Sequence, residues 1–140
     1  MVAGPLSLTA PGSATLGSTT PGGMAQGSLG QVQVIDDRGF GAGWTATASG
    51  TNFTTGGGSP VETIPVGDVT YAISGLNSTA AQAVVTHIVS AILSGNPEAV
   101  VTATSVTGNT AVSWNPVIQV TVPSGAIGGT YTATIVHSVA

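Results

Sequence analysis

The sequence predicts an all-β fold, a single-domain antiparallel β-sandwich of the immunoglobulin-like or Greek-key type. Thr and Val dominate the composition, while Glu, Lys, Leu and Arg, which favour helices, are scarce. Apolar and polar residues alternate in several short runs, and Gly and Pro recur between these runs. A length of 140 residues is that of one domain. Short alternating strands at this spacing are typical of a sandwich or barrel.

The chain begins with a Pro/Gly/Ser-rich arm, residues 1–28, and the predicted sandwich takes residues 29–140. Within the arm we predict one strand over residues 5–10, with Leu6 and Leu8 on the same face. A terminal strand can add to a sheet edge in its own domain or in a neighbouring copy. Leu6 and Leu8 are therefore the candidate assembly residues of the arm.

Alternation predicts four strands within the sandwich. Their apolar positions are Val32 and Val34; Trp44, Ala46 and Ala48; Ile118, Val120 and Val122; and Tyr131, Ala133 and Ile135. Turn signals lie around residues 11–12, 21–23, 39–43, 56–60, 95–97, 108–109 and 125–129. Each strand thus presents an apolar face to a core and hydroxyls or amides to the other side.

Residues 78–93 permit two interpretations. Ala80, Val84, Ile88 and other apolar residues of this segment fit one face of a short helix, which Ser78 could cap. The many β-branched residues favour strand or irregular structure instead. We favour the strand and keep one short helix as the alternative.

The near absence of charge excludes most kinds of chemistry. Charged residues make up 4% of the chain, with Arg38 as its one basic residue, five acidic residues and no Cys. Acid–base catalysis, metal binding and phosphate binding all need ionisable groups that converge. We expect no enzyme activity, no catalytic residue, no metal and no cofactor. One Arg cannot grip nucleic acid, and no apolar stretch is long enough for membrane insertion.

The segment Asp36-Asp37-Arg38-Gly39 follows a predicted strand and contains the single Arg. We interpret it as a structural turn, in which an Asp accepts backbone N–H groups and Arg38 binds carbonyls or a carboxylate. A calcium site is the alternative, with oxygens from Asp36, Asp37, Glu62 or Asp68. The two histidines, His87 and His137, lie in no metal-binding or catalytic pattern.

The large aromatic rings also permit two interpretations. In a core of Ala and Val they are natural packing anchors. If exposed, they would stack on sugars. The candidate binding residues are Phe40, Trp44, Trp114 and Tyr131.

Two parts of the chain resemble a known family. The runs 29–39 and 41–49, followed by Asn52-Phe53-Thr54, are similar to the central motif of the WxL-type surface domains of Gram-positive bacteria. Residues 120–123 and 128–134 resemble the closing strands of that family. Trp44-Thr45-Ala46 stands in place of the first Trp-x-Leu, and the second is replaced by Ile135-Val136-His137-Ser138. The departures fit a divergent branch, such as an actinobacterial one.

The resemblance implies a secreted, non-enzymatic module that associates non-covalently with the cell wall or joins surface assemblies. Composition adds a second argument, because a surface with few charges leaves little repulsion between copies. Our leading hypothesis is a structural protein of the extracellular surface that self-assembles into a filament, sheath or coat, with copies of itself as partners. The alternative is a surface module that binds cell-wall polymer, another glycan or surface proteins.

Overall fold

The computed structural model describes residues 6–38, 43–78, 84–104 and 109–140. The described chain is built from strands, with two 3₁₀ turns at Pro60–Glu62 and Val66–Asp68. The strands are β1 (Leu6–Thr9), β2 (Met24–Ser28), β3 (Val32–Asp36), β4 (Trp44–Gly50), β5 (Phe53–Thr54), β6 (Thr63–Ile64), β7 (Val69–Ser78), β8 (Val84–His87), β9 (Ser90–Ile92), β10 (Glu98–Thr104), β11 (Thr110–Thr121) and β12 (Ile135–Val139).

The strands form two main antiparallel sheets and one small ribbon. The first sheet has the order β1-β3-β11-β7-β9, with β2 also paired to β11, and the second has the order β12-β4-β10-β8. The ribbon pairs β5 with β6. In the main sheets, no two strands that pair with each other follow one another directly in the described chain. Successive strands therefore lie mostly in different sheets. The predicted all-β sandwich is confirmed.

The long strand β11 organises the first sheet. Along one side it pairs with β7. Along the other side, β3 pairs with its first half and β2 with its second half. Pro116 lies at the change from β3 to β2, where its missing N–H interrupts no continuous ladder. The predicted arm therefore supplies β1 and β2 to this sheet, and β1 corresponds to the strand predicted over residues 5–10.

Alternate residues of both sheets form the core. Strands β3 and β4 bury every second residue, as their alternation predicts. In β10 a bulge between Ala99 and Val101 turns two consecutive residues, Val100 and Val101, into the core. The largest fully buried side chains are Trp114, Tyr71, Leu93 and Ile118.

The described part of the segment 78–93 forms strands, and the strand predicted around Tyr131 is shorter than expected. In the segment 78–93, residues 84–87 and 90–92 form β8 and β9, and residues 79–83 lie outside the described chain, so the described part contains no helix. Its β-branched residues determine that outcome. The strand predicted around Tyr131 begins only at Ile135. Before it, the chain pairs through a single bridge between Thr54 and Thr132.

Candidate functional site

Trp114, a candidate binding residue, lies in the core with its ring fully buried. Its Nε1–H donates to the Tyr71 hydroxyl at 3.0 Å, and that hydroxyl lies 2.8 Å from Nε2 of His137. Since an indole N–H can only donate, the Tyr71 O–H remains free to donate to His137. The three side chains thus form a directed chain of hydrogen bonds from the core to β12, and Trp114 is a packing residue.

Burial sets the protonation states of Tyr71 and His137. It raises the pKa of Tyr71 to about 12, although the hydrogen bond from Trp114 opposes the shift. Burial also lowers the pKa of His137 from its usual value of 6.5. At neutral pH, Tyr71 is therefore a protonated donor and His137 a neutral acceptor. Trp114, Tyr71 and His137 thus form a structural hydrogen-bond network.

Trp44 is also buried, with 3% of its surface exposed at the start of β4. Its Nε1 is buried without a hydrogen-bond partner among the described residues. An unpaired buried donor of this kind costs about 1–3 kcal/mol. The ring is packed inside the sandwich and presents no face to a ligand. Phe40, another candidate binding residue, lies outside the described residues, as does Gly39 of the predicted turn.

The segment after β3 forms the predicted structural turn in its described part. Asp36 is buried, and its carboxylate accepts the Arg38 backbone N–H at 3.0 Å and two side-chain N–H groups at 2.9 Å. Arg38 also donates to the carbonyl of Gly43 at 3.2 Å. The Arg38 hydrogen bonds hold the pKa of Asp36 below its usual value. The one cation of the protein therefore anchors a strand end, with Asp37 following Asp36 outside the strand.

The remaining calcium candidates do not join this turn. Glu62 accepts the Ser59 hydroxyl at 2.6 Å and the Ser59 N–H at 3.3 Å, which caps the first 3₁₀ turn and lowers the Glu62 pKa. Asp68 ends the second turn. Among the described residues no three His, Cys, Asp or Glu side chains come together as a metal site. The Nδ1–H of His87 donates to the Ile88 carbonyl at 2.7 Å.

The assembly residues Leu6 and Leu8 pack against the core of their own chain. Both are half-buried, and β1 pairs with β3 through four residues, from Leu6 opposite Asp36 to Thr9 opposite Gln33. In this structure the arm completes its own sheet.

A groove lies between the arm and the sandwich. Its lining includes the segment 12–19, which we call the strap, Phe53 of β5 and the loop 127–133. The cavity here has a volume of about 750 Å³, within the range of ligand pockets. A second cavity of about 250 Å³ adjoins it, shares Leu16 and Phe53, and reaches His137.

The strap is held by side-chain packing. Leu16 packs against the core, and its Cα lies so near β2 that a Cβ added to Gly27 would be 3.0 Å away. The strap residues form no backbone hydrogen bond with other described residues. In the loop 127–133, the Tyr131 hydroxyl donates to the Ile127 carbonyl at 2.7 Å, which fixes the ring.

The groove walls carry hydroxyls, glycine backbone, apolar side chains and two rings. The hydroxyls belong to Ser13, Thr15, Ser18, Thr19, Thr130 and Thr132, and the rings are Phe53 and Tyr131. Within the described chain, none of the residues lining either cavity is Asp, Glu, Lys or Arg. Such walls suit an uncharged ligand with hydroxyl or amide groups. Tyr131 is thus the one predicted binding residue that the described structure places at the groove.

Sequence reasoning missed the strap and the role of Phe53. The strap residues and the loop 127–133 are separated by more than a hundred residues in the sequence, and only the pairing of β2 with β11 brings them together. The available signal was the dense Ser, Thr and Gly content of the arm, which is typical of a loop and does not indicate a binding wall.

A protein-family model matches most of the chain. The model of the WxL domain, described as surface cell wall-binding, matches residues 16–139. Searches of curated proteins and of solved structures find no match. Among the described residues, no helix has the length and apolarity needed to cross a membrane.

Proposed function

Since the chain belongs to the WxL family of surface cell-wall-binding domains, we propose that it is a non-catalytic module that attaches to the cell wall by non-covalent contacts. The match over residues 16–139 is the observation that carries this proposal. It covers every described strand except β1, together with half of the strap, so it includes most of the residues that line the larger cavity. The proposal places the protein outside the cell, on a Gram-positive surface.

The chemistry of the described surface supports attachment without catalysis. Asp36 and Arg38 bind each other, Glu62 caps a turn, and His137 closes a hydrogen-bond chain, so these groups already have structural tasks. Contacts to a wall polymer would then come from hydroxyls, backbone groups, rings and apolar side chains. Such contacts act at short range and depend little on salt.

Sedimentation with purified cell walls tests the proposal. The full chain is mixed with washed walls that have been stripped of protein, and the fraction that pellets is measured against protein concentration. We expect saturable binding that persists at high salt, because few charges are available to screen. Pelleting that is absent, or that disappears in moderate salt, would contradict the proposal.

A second function is favoured by the edge formed by β8 and β9. These strands each end a sheet and are consecutive in the chain. Val84, Val89 and Ile92 are 55%, 80% and 64% exposed there. An uncharged apolar edge with free backbone groups permits pairing with another copy. We propose self-assembly at this edge as an additional activity of the wall-bound protein.

A further inference from the structure

We propose that the groove beneath the strap binds an uncharged segment of a glycan chain, so that the strap lies across the bound sugar. This inference rests on the proposed function, because it names the site and the part of the wall polymer that the site takes.

Charge selects the ligand class. A carboxylate, phosphate or ammonium group that enters the groove would lose water, and the described walls offer no opposite charge to replace it. Wall polymers combine uncharged sugars with charged peptide or phosphate groups. The groove therefore favours the sugar units over the charged parts.

The walls offer both kinds of contact that a neutral sugar needs. Phe53 and Tyr131 supply apolar ring surface, and the Tyr131 ring is oriented by its hydrogen bond to the Ile127 carbonyl. The strap supplies hydroxyls and free backbone groups, since it forms no backbone hydrogen bonds with other described residues. A sugar has apolar C–H faces and polar edges, and the groove matches that division.

The strap also explains how a polymer would be held. The smaller cavity adjoins the larger one beneath the same strap, and both are lined by Gly12, Leu16 and Phe53. Consecutive sugar units would occupy the two cavities. Leu16 holds the strap against the core, and release of this single apolar contact would let a chain enter from the side.

The test uses an uncharged N-acetylated tetrasaccharide, chitotetraose, as the probe. An NMR titration of the labelled full chain is expected to shift the amide signals of the strap, Phe53 and the loop 127–133, and to leave β8 and β9 unchanged. Tetragalacturonic acid, a carboxylate-bearing chain of equal length, is expected to bind at least tenfold more weakly. A neutral Ser/Gly/Ala peptide controls for general polymer binding and is expected to cause no shifts.

Blocking variants keep the test independent of folding. Gly12 and Gly128 both line the larger cavity, and a Cβ at either position meets no atom within 4 Å. Gly12→Phe and Gly128→Phe should fold normally and weaken chitotetraose binding at least tenfold. Gly95→Phe is the matched control, because Gly95 is equally open and lies outside both cavities.

The outcomes separate this inference from the proposed function. Suppose that the parent protein pellets with cell walls. If both blocking variants then bind walls and chitotetraose as tightly as the parent protein, the groove assignment is wrong and wall binding stands. If the neutral peptide or the acidic sugar binds better than chitotetraose, the ligand class is wrong. If walls do not bind the parent protein, the proposed function itself fails.

Discussion

At the residue scale, the buried polar groups of this protein are arranged by what each group can donate or accept. Trp114 gives a hydrogen bond to Tyr71, which is left to give one to His137. The direction of the chain requires His137 to be neutral, since a protonated ring has no lone pair to accept with. The free energy of unfolding should therefore depend on whether His137 is protonated.

Acidification from pH 7.5 to pH 5 is expected to lower the free energy of unfolding through His137. Burial lowers its pKa in the folded state below the usual 6.5, so the unfolded chain binds the proton first as the pH falls. The stabilising contribution is complete above the unfolded pKa and is lost below it, at up to about 1.4 kcal/mol per pH unit.

Urea unfolding at several pH values measures this dependence. In His137→Gln the amide oxygen can still accept from Tyr71, and the part of the dependence due to His137 should vanish. His87→Gln, on the exposed strand β8, is the matched control and should keep the behaviour of the parent. Equal pH dependence in the parent and in His137→Gln would contradict the assigned direction of the chain.

At the element scale, the sheets follow the sequence pattern except where a bulge or a loop shifts the register. The pairing of β11 with β7 moves by one residue between Ser113 and Asn115, and Gly75 lies at this irregularity with φ +66°. This is the left-handed region that favours glycine in a bulge. A Cβ at Gly75 would also lie 3.1 Å from Nδ2 of Asn115.

Gly75→Ala is therefore expected to destabilise the protein by about 1–2 kcal/mol. Gly67→Ala is the control, since a Cβ there meets no atom within 4 Å and its φ is not in the left-handed region. It should be neutral or slightly stabilising. Thermal unfolding of the two variants makes the comparison. Equal melting temperatures would show that the bulge tolerates a side chain.

The alternation of Val32 and Val34, and of Trp44, Ala46 and Ala48, is sufficient to predict β3 and β4, because their buried faces follow the period of a strand. Strand β2 could not be predicted in this way. Its sequence, MAQGS, is short and polar, and its place is set by pairing with β11, far along the chain. Tyr131 was predicted as a binding residue from its ring, but its partners across the groove depend on the same long-range pairing.

At the scale of the whole molecule, the low charge has two consequences that need not exclude each other. It leaves the groove uncharged, and it leaves the two free edges of the sandwich without much repulsion. One edge is formed by β1 and β12, which contact each other across the two sheets. The other is formed by β8 and β9, where Val84, Val89 and Ile92 face solvent. Contact between copies is expected at the second edge, where three apolar side chains are exposed.

Val89→Lys and Ile92→Lys should each reduce self-association, because a lysine at a strand edge must lose its water when a second copy pairs there. Val136→Lys is the matched control, since Val136 is 53% exposed on β12, at the opposite edge. Light scattering and electron microscopy over a range of protein concentrations compare the variants with the parent. A parent protein that stays monomeric at the highest concentration, with or without residues 1–12, would rule out assembly. Association that is weakened by Val136→Lys and not by Val89→Lys or Ile92→Lys would instead place the contact at the β1/β12 edge, where strand β1 would be the element that copies exchange.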